Sequence, residues 1–450
     1  MRSTPLSGQA LHTFFRFERA AGLVVALILI HGCAGPGPAT PEETGKMDAI
    51  AESYVKLVLS VGQLDADYVD AYYGPPAWRT EAEAGVTPSS QLYLRAADLS
   101  NQLDRIPAPR EEMEALRHTY LSTQLGAVAE RLLMLDGEQL TFDEESKALY
   151  DAVAPTHDDD HFRQILDALD PLLPGEGSLD ERWETFRSAY VIPPDKLDTV
   201  FRTAIDACKE RTAAWLDLPA TESFKLEYVT DKSWSGYNWY KGGFESLIQI
   251  NTDLPIYIDR AIDLACHEGY PGHHVYNMLL ERSMVQERGW VEFSVYPLFS
   301  PQSLIAEGSA NYGIEMAFPG RERIEYEREV LFPLAGLDPA GADVYYDALE
   351  AVERLSYAGN EAARRYLDGD IDAGQAAELL TRFAMMPAER AAQRVKFIDK
   401  YRAYVINYNL GQDLVRAHIE AAGDSPEARW AAFTALLSSP SLPSSLAAER

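Results

Sequence analysis

The stretch CHEGYPGHHVY, residues 266–276, places three histidines and a glutamate around a Pro-Gly pair. A zinc-binding helix ordinarily carries two histidines four residues apart, in the pattern H-E-x-x-H. Here His267 is followed by histidines six and seven residues later, at His273 and His274. The residue types suit a metal site but the spacing does not, so the backbone between the histidines decides what the motif can form.

The geometry of a helix shows why this backbone matters. A helix turns about 100° and rises about 1.5 Å per residue, so on an unbroken helix His273 would point about 120° away from His267. His274 would share the face of His267 but lie about 10.5 Å further along the axis. Proline removes a backbone hydrogen bond, and glycine lets the chain restart. We therefore predict a helix broken at residues 269–272 that brings His273 back beside His267, with His274 as the alternative.

A zinc site needs a third protein ligand, and the segment LIAEGSANYGIE, residues 304–315, offers one. The segment has a helical pattern, which places Glu307 and Asn311 one turn apart on the same face. Glu307 would complete the site with His267 and the second histidine, and Asn311 would orient a ligand by a hydrogen bond. Glu268 would then act as the general base that takes a proton from the attacking water.

Four blocks of the sequence resemble one known family. H-E-x-x-P-G-H-H followed by E-G-x-A-x-Y is similar to the bacterial domain-of-unknown-function family 885, which belongs among the zincin-like metallopeptidases. The blocks that carry this resemblance are HEGYPGHH at 267–274 and EGSANY at 307–312. DADYVDAYYGPPAW at 65–78 and RAYVINYNLG at 402–411 resemble the first and last blocks of the family.

The resemblance implies a zincin-like fold with a deep cleft, zinc (Zn²⁺) as cofactor, and a peptide or small amide as substrate. The residues carried over are His267, His273 and Glu307 as zinc ligands and Glu268 as general base. It further implies that Tyr408 stabilises the oxyanion formed when water attacks a carbonyl. Arg402 or Tyr404 would bind a carboxylate or carbonyl group of the substrate.

Helical periodicity dominates residues 47–450, which we interpret as one large, mainly α catalytic domain. FKLEYV and YNWYKGGFESLIQIN alternate β-branched and aromatic residues, with Gly242-Gly243 as a hairpin turn. We therefore predict one small antiparallel sheet at 224–252. FESLIQIN, residues 244–251, is the candidate edge strand that aligns a peptide beside the metal helix, and a purely structural hairpin is the alternative.

The amino terminus has the pattern of a targeting segment. The apolar run at residues 20–30 is too short for a bilayer about 30 Å thick and is typical of a signal peptide, here predicted at 1–32. The ending I-H-G-C resembles a bacterial lipobox, which implies that Cys33 carries the lipid and that residues 33–46 form a tether. This places the protein outside the cytoplasm on a bacterial membrane. The alternative is an ordinary cleaved signal with an incidental cysteine.

Composition excludes some partners. The 450 residues are 46% hydrophobic and carry a formal net charge of −30, which argues against nucleic acid and against a polybasic membrane patch. Membrane contact is therefore expected through the lipid alone. Cys208 and Cys266 are too few for a disulfide framework and read as packing residues, so we assign neither a role. HDDDH, residues 157–161, is predicted as a solvated helix start rather than a second metal site.

Three functional classes fit these observations. The favoured one is a zinc peptidase that cleaves short peptides with an activated water. A metal-dependent amidase that acts on a non-peptide or cell-wall amide would use the same ligands. The third class is a non-catalytic binding lipoprotein on a peptidase scaffold, and the presence of Glu268 argues against it. The sequence leaves the oligomeric state open.

Overall fold

The structure is a computed structural model that describes residues 41–173, 175–232 and 234–447. The predicted signal peptide (1–32) and Cys33 lie outside the described residues. The first helix begins at Pro41, inside the segment predicted as a tether. The described residues belong to one compact unit.

Helices make up most of the chain, which confirms the mainly α prediction. Their bounds are α1 Pro41–Val61, α2 Pro76–Glu83, α3 Ser89–Leu103, α4 Glu112–Leu135, α5 Phe142–Tyr150, α6 Asp159–Leu169, α7 Leu179–Ser188, α8 Leu197–Ala213, α9 Asp259–Leu264, α10 His273–Leu280, α11 Pro301–Ala317, α12 Glu322–Tyr326, α13 Phe332–Ala335, α14 Ala342–Glu353, α15 Ala358–Leu367, α16 Ala373–Ala384, α17 Ala388–Tyr401, α18 Ile406–Ala421, α19 Pro426–Leu437 and α20 Pro443–Ala447. Among the described residues, no helix is both long enough and apolar enough to cross a bilayer.

Local sequence explains how these helices start and which face they bury. Thr141 and Glu144 form a capping box at the start of α5, because each side chain bonds the backbone of the other residue. Asp158 accepts a hydrogen bond from the backbone of His161 at the start of α6, so HDDDH is confirmed as a helix start. In α3, leucines and an alanine at helical spacing are buried against the core, namely Leu92, Ala96, Leu99 and Leu103.

The predicted sheet is present, but one of its strand pairings differs from the prediction. Its strands are β2 Ser223–Val229, β3 Gly236–Gly242 and β4 Glu245–Asn251, in the order β2-β4-β3. The β3–β4 hairpin is antiparallel, and both Gly242 and Gly243 have positive φ, as predicted. β2 nevertheless runs parallel to β4, so the prediction of a wholly antiparallel sheet is wrong. The chain reverses between β2 and β3, and β4 then inserts between them antiparallel to β3 and hence parallel to β2.

This order also changes which strand lies at an edge. FESLIQIN falls mostly in β4, which is the central strand, so its prediction as the edge strand is wrong. β2 and β3 are the two edge strands, and β3 is the one whose residues line the cavity described below. A second sheet, which the sequence did not predict, pairs β1 Val69–Tyr72 with β5 Val295–Pro297. Strands this short show too few alternations for a period of two to be recognised.

Two further contacts between distant parts of the chain position the site. Cys208 on α8 forms a disulfide with Cys266, so the expectation that neither cysteine has a role is wrong. The bond ties α8 to the residue before His267. Helices α11 and α18 cross at two glycines, because a Cβ on Gly308 would lie 2.3 Å from the carbonyl carbon of Gly411. The close crossing brings the segment that begins at Tyr404 against Glu307.

Candidate metal centre

The helix that carries the opening motif is broken where the sequence predicts. After α9 the chain forms a π-helical turn, Ala265–Gly269, then leaves the helix and restarts at His273 in α10. The backbone N–H of Gly272 donates to the carbonyl of Cys266 at 2.9 Å. A Cβ on Gly272 would lie 1.8 Å from the carbonyl oxygen of His267, so only glycine fits this close approach.

The break brings His267, His273 and Glu307 together. The two Nε2 atoms of the histidines lie 3.1 Å apart. Glu307 Oε2 lies 3.3 Å from Nε2 of His267 and 3.7 Å from Nε2 of His273. The three side chains thus form a compact donor set that can hold a metal ion.

His274 does not join this cluster. Its Nδ1 bonds the hydroxyl of Ser246 at 2.8 Å, and its Nε2 lies 3.0 Å from Oε2 of Glu222. Lys209 and Tyr270 also bond the carboxylate of Glu222. His274 is therefore a fully buried structural residue, and His273 is the histidine that returns to His267.

The donor set fits a tetrahedral zinc ion. Ligand atoms about 2.0–2.2 Å from such an ion lie about 3.3–3.5 Å apart, close to the three separations observed. Oε2 of Glu307 is buried and has no hydrogen-bond partner among the described residues. A buried carboxylate oxygen without a partner is costly, and a cation removes that cost.

Asn311 fixes which nitrogen of His267 faces the cluster. Its amide nitrogen donates to the backbone carbonyl of Tyr408 at 2.9 Å, which leaves its oxygen to accept from Nδ1 of His267, also at 2.9 Å. With the proton on Nδ1, the lone pair of Nε2 points at the carboxylate of Glu307. A proton on Nε2 would supply a hydrogen bond to Glu307 alone. A metal ion at the same place would contact Nε2 of His267, Nε2 of His273 and the carboxylate of Glu307 together.

The carboxylates of Glu268 and Glu307 are both buried, and their surroundings shift their pKa values in opposite directions. Burial raises the pKa of Glu268, and the neighbouring His267 and His273 oppose that rise. For Glu307 burial also favours the neutral acid, but the closeness of the same two histidines outweighs it and holds the pKa well below its usual range. A Cβ on Gly236 would lie 2.7 Å from Oε1 of Glu268, so the glycine leaves room for this carboxylate.

The three residues predicted from the last sequence block, at 402–411, have different positions relative to the cavity. The hydroxyl of Tyr404 donates to Oε1 of Glu307 at 2.7 Å, so Tyr404 orients a candidate ligand, and its side chain also lines the cavity. Tyr408 lines the cavity. Arg402 does not reach the cavity, because its guanidinium bonds the carboxylate of Glu145 at 2.6 Å. The prediction that Arg402 binds substrate is therefore corrected.

A cavity of about 410 Å³ contains the cluster and Glu268. Its walls come from the edge strand β3, from α9 and its π-helical turn, and from α11, α17 and α18. Sequence reasoning missed four charged residues of this wall, namely Asp70, Arg260, Asp263 and Arg394. Burial raises the pKa of Asp70 to about 6, although a hydrogen bond from Tyr237 opposes the rise. Asp70 lies in DADYVDAYYGPPAW, a block that the family resemblance had already singled out.

Comparison with known proteins establishes the fold only. No protein-family model matches the chain, and no curated protein matches it in sequence. Its fold is similar to a crystal structure of "the putative lipoprotein from Colwellia psychrerythraea", with a TM-score of 0.52 and 15% sequence identity. The match covers 80% of this chain and 66% of that one, so the present chain spans just under two thirds of the length of that protein.

Proposed function

We propose that the protein is a zinc-dependent metallopeptidase that cleaves short peptides. The observation that carries this proposal is the convergence of His267, His273 and Glu307, with a buried carboxylate oxygen that has no hydrogen-bond partner among the described residues. Two histidines and a carboxylate are a donor set of catalytic zinc sites that keep a fourth position open. The position of this cluster in the wall of a cavity supports access for a substrate.

The chain's own residues supply the remaining steps. When bound, zinc acidifies water and polarises a carbonyl group. Glu268 lies next to His267 in the chain and lines the cavity, where it accepts the proton of the attacking water and passes it to the leaving amine. Tyr408 donates a hydrogen bond to the developing oxyanion. The edge strand β3, whose residues 236–238 line the cavity, offers main-chain groups to an extended peptide.

We further propose a zincin-like fold and a lipid-anchored location outside the cytoplasm. The similar Colwellia protein is described as a lipoprotein, and the I-H-G-C sequence before and at Cys33 agrees with that description. The disulfide between Cys208 and Cys266 supports an oxidising compartment, where such bonds persist.

An amidase that acts on a non-peptide or cell-wall amide is the second candidate, because it would use the same ligands and base. The tyrosine-lined cavity and the adjacent edge strand favour an extended peptide. Digestion of a peptide library, read by mass spectrometry, separates the two because only the peptidase yields cleaved peptides.

Replacement of the proposed base tests the mechanism. Glu268→Gln is expected to retain zinc at wild-type stoichiometry and to lose about 10²- to 10⁴-fold in hydrolysis rate, since only the proton acceptor is removed. Glu287→Gln, which changes an exposed glutamate beyond α10, serves as the control and should leave both quantities unchanged. Hydrolysis retained in Glu268→Gln would refute the base assignment. A zinc-loaded wild type that cleaves no library peptide would exclude the peptidase and leave the amidase and the binding lipoprotein as the remaining classes.

A further inference from the structure

Arg394 brings a positive charge into the wall of the cavity and has no ion-pair partner among the described residues. It lies on α17, and its Nε atom is buried and makes no hydrogen bond to any residue that the structure describes. No carboxylate of those residues forms an ion pair with its guanidinium, and burial lowers its pKa. Arg260, which lines the same cavity, instead pairs with Asp263 on its own helix.

This arrangement is costly unless a ligand compensates for it. Arg394 is partly exposed as a whole, but its Nε is removed from water without a partner, and such a donor destabilises the fold. The unpaired Arg394 is therefore a candidate for recognition of an anion.

Two aromatic rings hold the guanidinium in place. Its central carbon lies 4.7 Å from the ring centre of Phe397 and 5.8 Å from that of Tyr408. Such faces stabilise a cation without consuming its N–H donors. The planar fork that remains available matches the two oxygens of a carboxylate.

Arg394 is also close enough to the metal cluster for one substrate to contact both. Burial raises the pKa of Tyr408, the nearby carboxylates of Glu307 and Glu268 raise it further, and the charge of Arg394 lowers it, so Tyr408 lies close to all three groups. All four side chains line the same cavity. A peptide whose scissile carbonyl lies at the cluster can therefore extend past Tyr408 to Arg394.

We propose that Arg394 binds a carboxylate group of the peptide substrate and thereby selects which bond is cleaved. This inference rests on the proposed peptidase function, whose substrate class it narrows to peptides with an acidic group beyond the scissile bond. The carboxylate is either the free C-terminus, which makes the enzyme release short C-terminal fragments, or an acidic side chain.

Three peptides of matched length distinguish these sources. They are acetyl-Ala-Ala-Ala-Phe with a free carboxylate, the same peptide with a C-terminal amide, and amidated acetyl-Ala-Ala-Ala-Glu. The zinc-loaded wild type should cleave a carboxylate-bearing peptide with a kcat/KM about 10- to 100-fold higher than the amidated Phe peptide, as expected for a charge-assisted hydrogen-bonded pair. Preference for the free acid alone identifies the C-terminus, and equal preference for the Glu peptide shows that either carboxylate suffices.

Arg394→Met keeps the length of the side chain and removes its charge. It should reduce the ratio of kcat/KM for the carboxylate peptides to kcat/KM for the amidated Phe peptide from about 10- to 100-fold to about one. Arg394→Lys, which keeps the charge but not the fork, should retain part of the preference. Arg390→Met is the control, since Arg390 lies one turn earlier on α17 and contacts the carbonyl of Pro255 outside this cavity.

A binding measurement separates failure of this inference from failure of the proposed function. Zinc-loaded Glu268→Gln protein is titrated calorimetrically with the free-acid and amidated Phe peptides, with and without Arg394→Met. A preference for the acid that disappears in Arg394→Met supports the inference even if the wild type hydrolyses nothing. A preference that survives in Arg394→Met, or no preference in the parent protein, overturns it.

Discussion

At the scale of single residues, the orientation of His267 depends on one amide. Asn311 accepts from Nδ1 of His267 and donates to the backbone of Tyr408, so it connects a candidate ligand to α18. Residues that hold a metal-binding histidine in one tautomer strengthen metal binding without touching the ion. Asn311 is therefore a positioning residue whose loss should weaken the site.

Asn311→Ala is expected to lower zinc affinity about 10- to 100-fold, because His267 loses the acceptor that fixes its ring. Asn311→Asp keeps an acceptor for Nδ1 and loses only the donor to Tyr408, so its affinity should fall less. Competition with a chromophoric chelator measures both values. Equal zinc affinity in Asn311→Ala and wild type would refute this role.

The residues of the metal cluster were predictable from the sequence where the spacing along the backbone restricts which side chains can meet. The break at 269–272 follows from the Pro-Gly pair, and it makes His273 the closer histidine. Side-chain direction was not predictable in the same way. Arg402 has a φ of +50° and turns to Glu145, whereas Arg394 on the preceding helix faces the cavity.

At the scale of elements, the crossing of α11 and α18 places the two halves of the site. Glu307 and Asn311 lie on α11, and the segment that contains Tyr404 and Tyr408 leads into α18. The helices touch through Gly308, which leaves no space for a methyl group. Gly308 of EGSANY is therefore required by the close packing of the two helices and not by its backbone conformation.

Gly308→Ala is expected to lower the free energy of unfolding by about 1–3 kcal/mol, because the new methyl group forces the helices apart. Zinc affinity should fall with it, since Tyr404 and the carbonyl of Tyr408 move away from their partners on α11. Gly126→Ala in α4 is the matched control, because nothing lies within 4 Å of the added methyl group.

Denaturant unfolding and chelator competition measure the two effects. The control should gain about 0.5–1 kcal/mol from the better helix former. A Gly308→Ala protein as stable as that control would show that the helices separate without cost.

Elements were predictable where local pattern determines them and not where distant strands meet. The hairpin turn at Gly242-Gly243 follows from neighbouring residues, and so do the helix caps. The insertion of β4 between β2 and β3, and the pairing of β1 with β5, are set by tertiary contacts across the chain. Neither leaves a periodic signal in the sequence.

At the scale of the whole molecule, the disulfide joins the metal-binding turn to the helical body. Cys208 and Cys266 are 58 residues apart, and the intervening chain includes the whole three-stranded sheet. The pairing of two cysteines that lie far apart in sequence depends on the folded chain, which explains why sequence reasoning assigned them no role. The bond also means that redox conditions affect the fold around His267.

The double variant Cys208→Ala/Cys266→Ala is expected to unfold with a free energy lower by about 2–4 kcal/mol, because the cross-link no longer restricts the unfolded chain. Wild type reduced with a phosphine should lose a similar amount, while the same reductant should leave the double variant unchanged. Since Cys266 precedes His267, the variant should also release zinc faster to a chelator. Denaturant unfolding with and without reductant measures the first effect, and stopped-flow chelation measures the second. Equal stability of the oxidised wild type and the double variant would show that packing alone holds the metal-binding turn against α8.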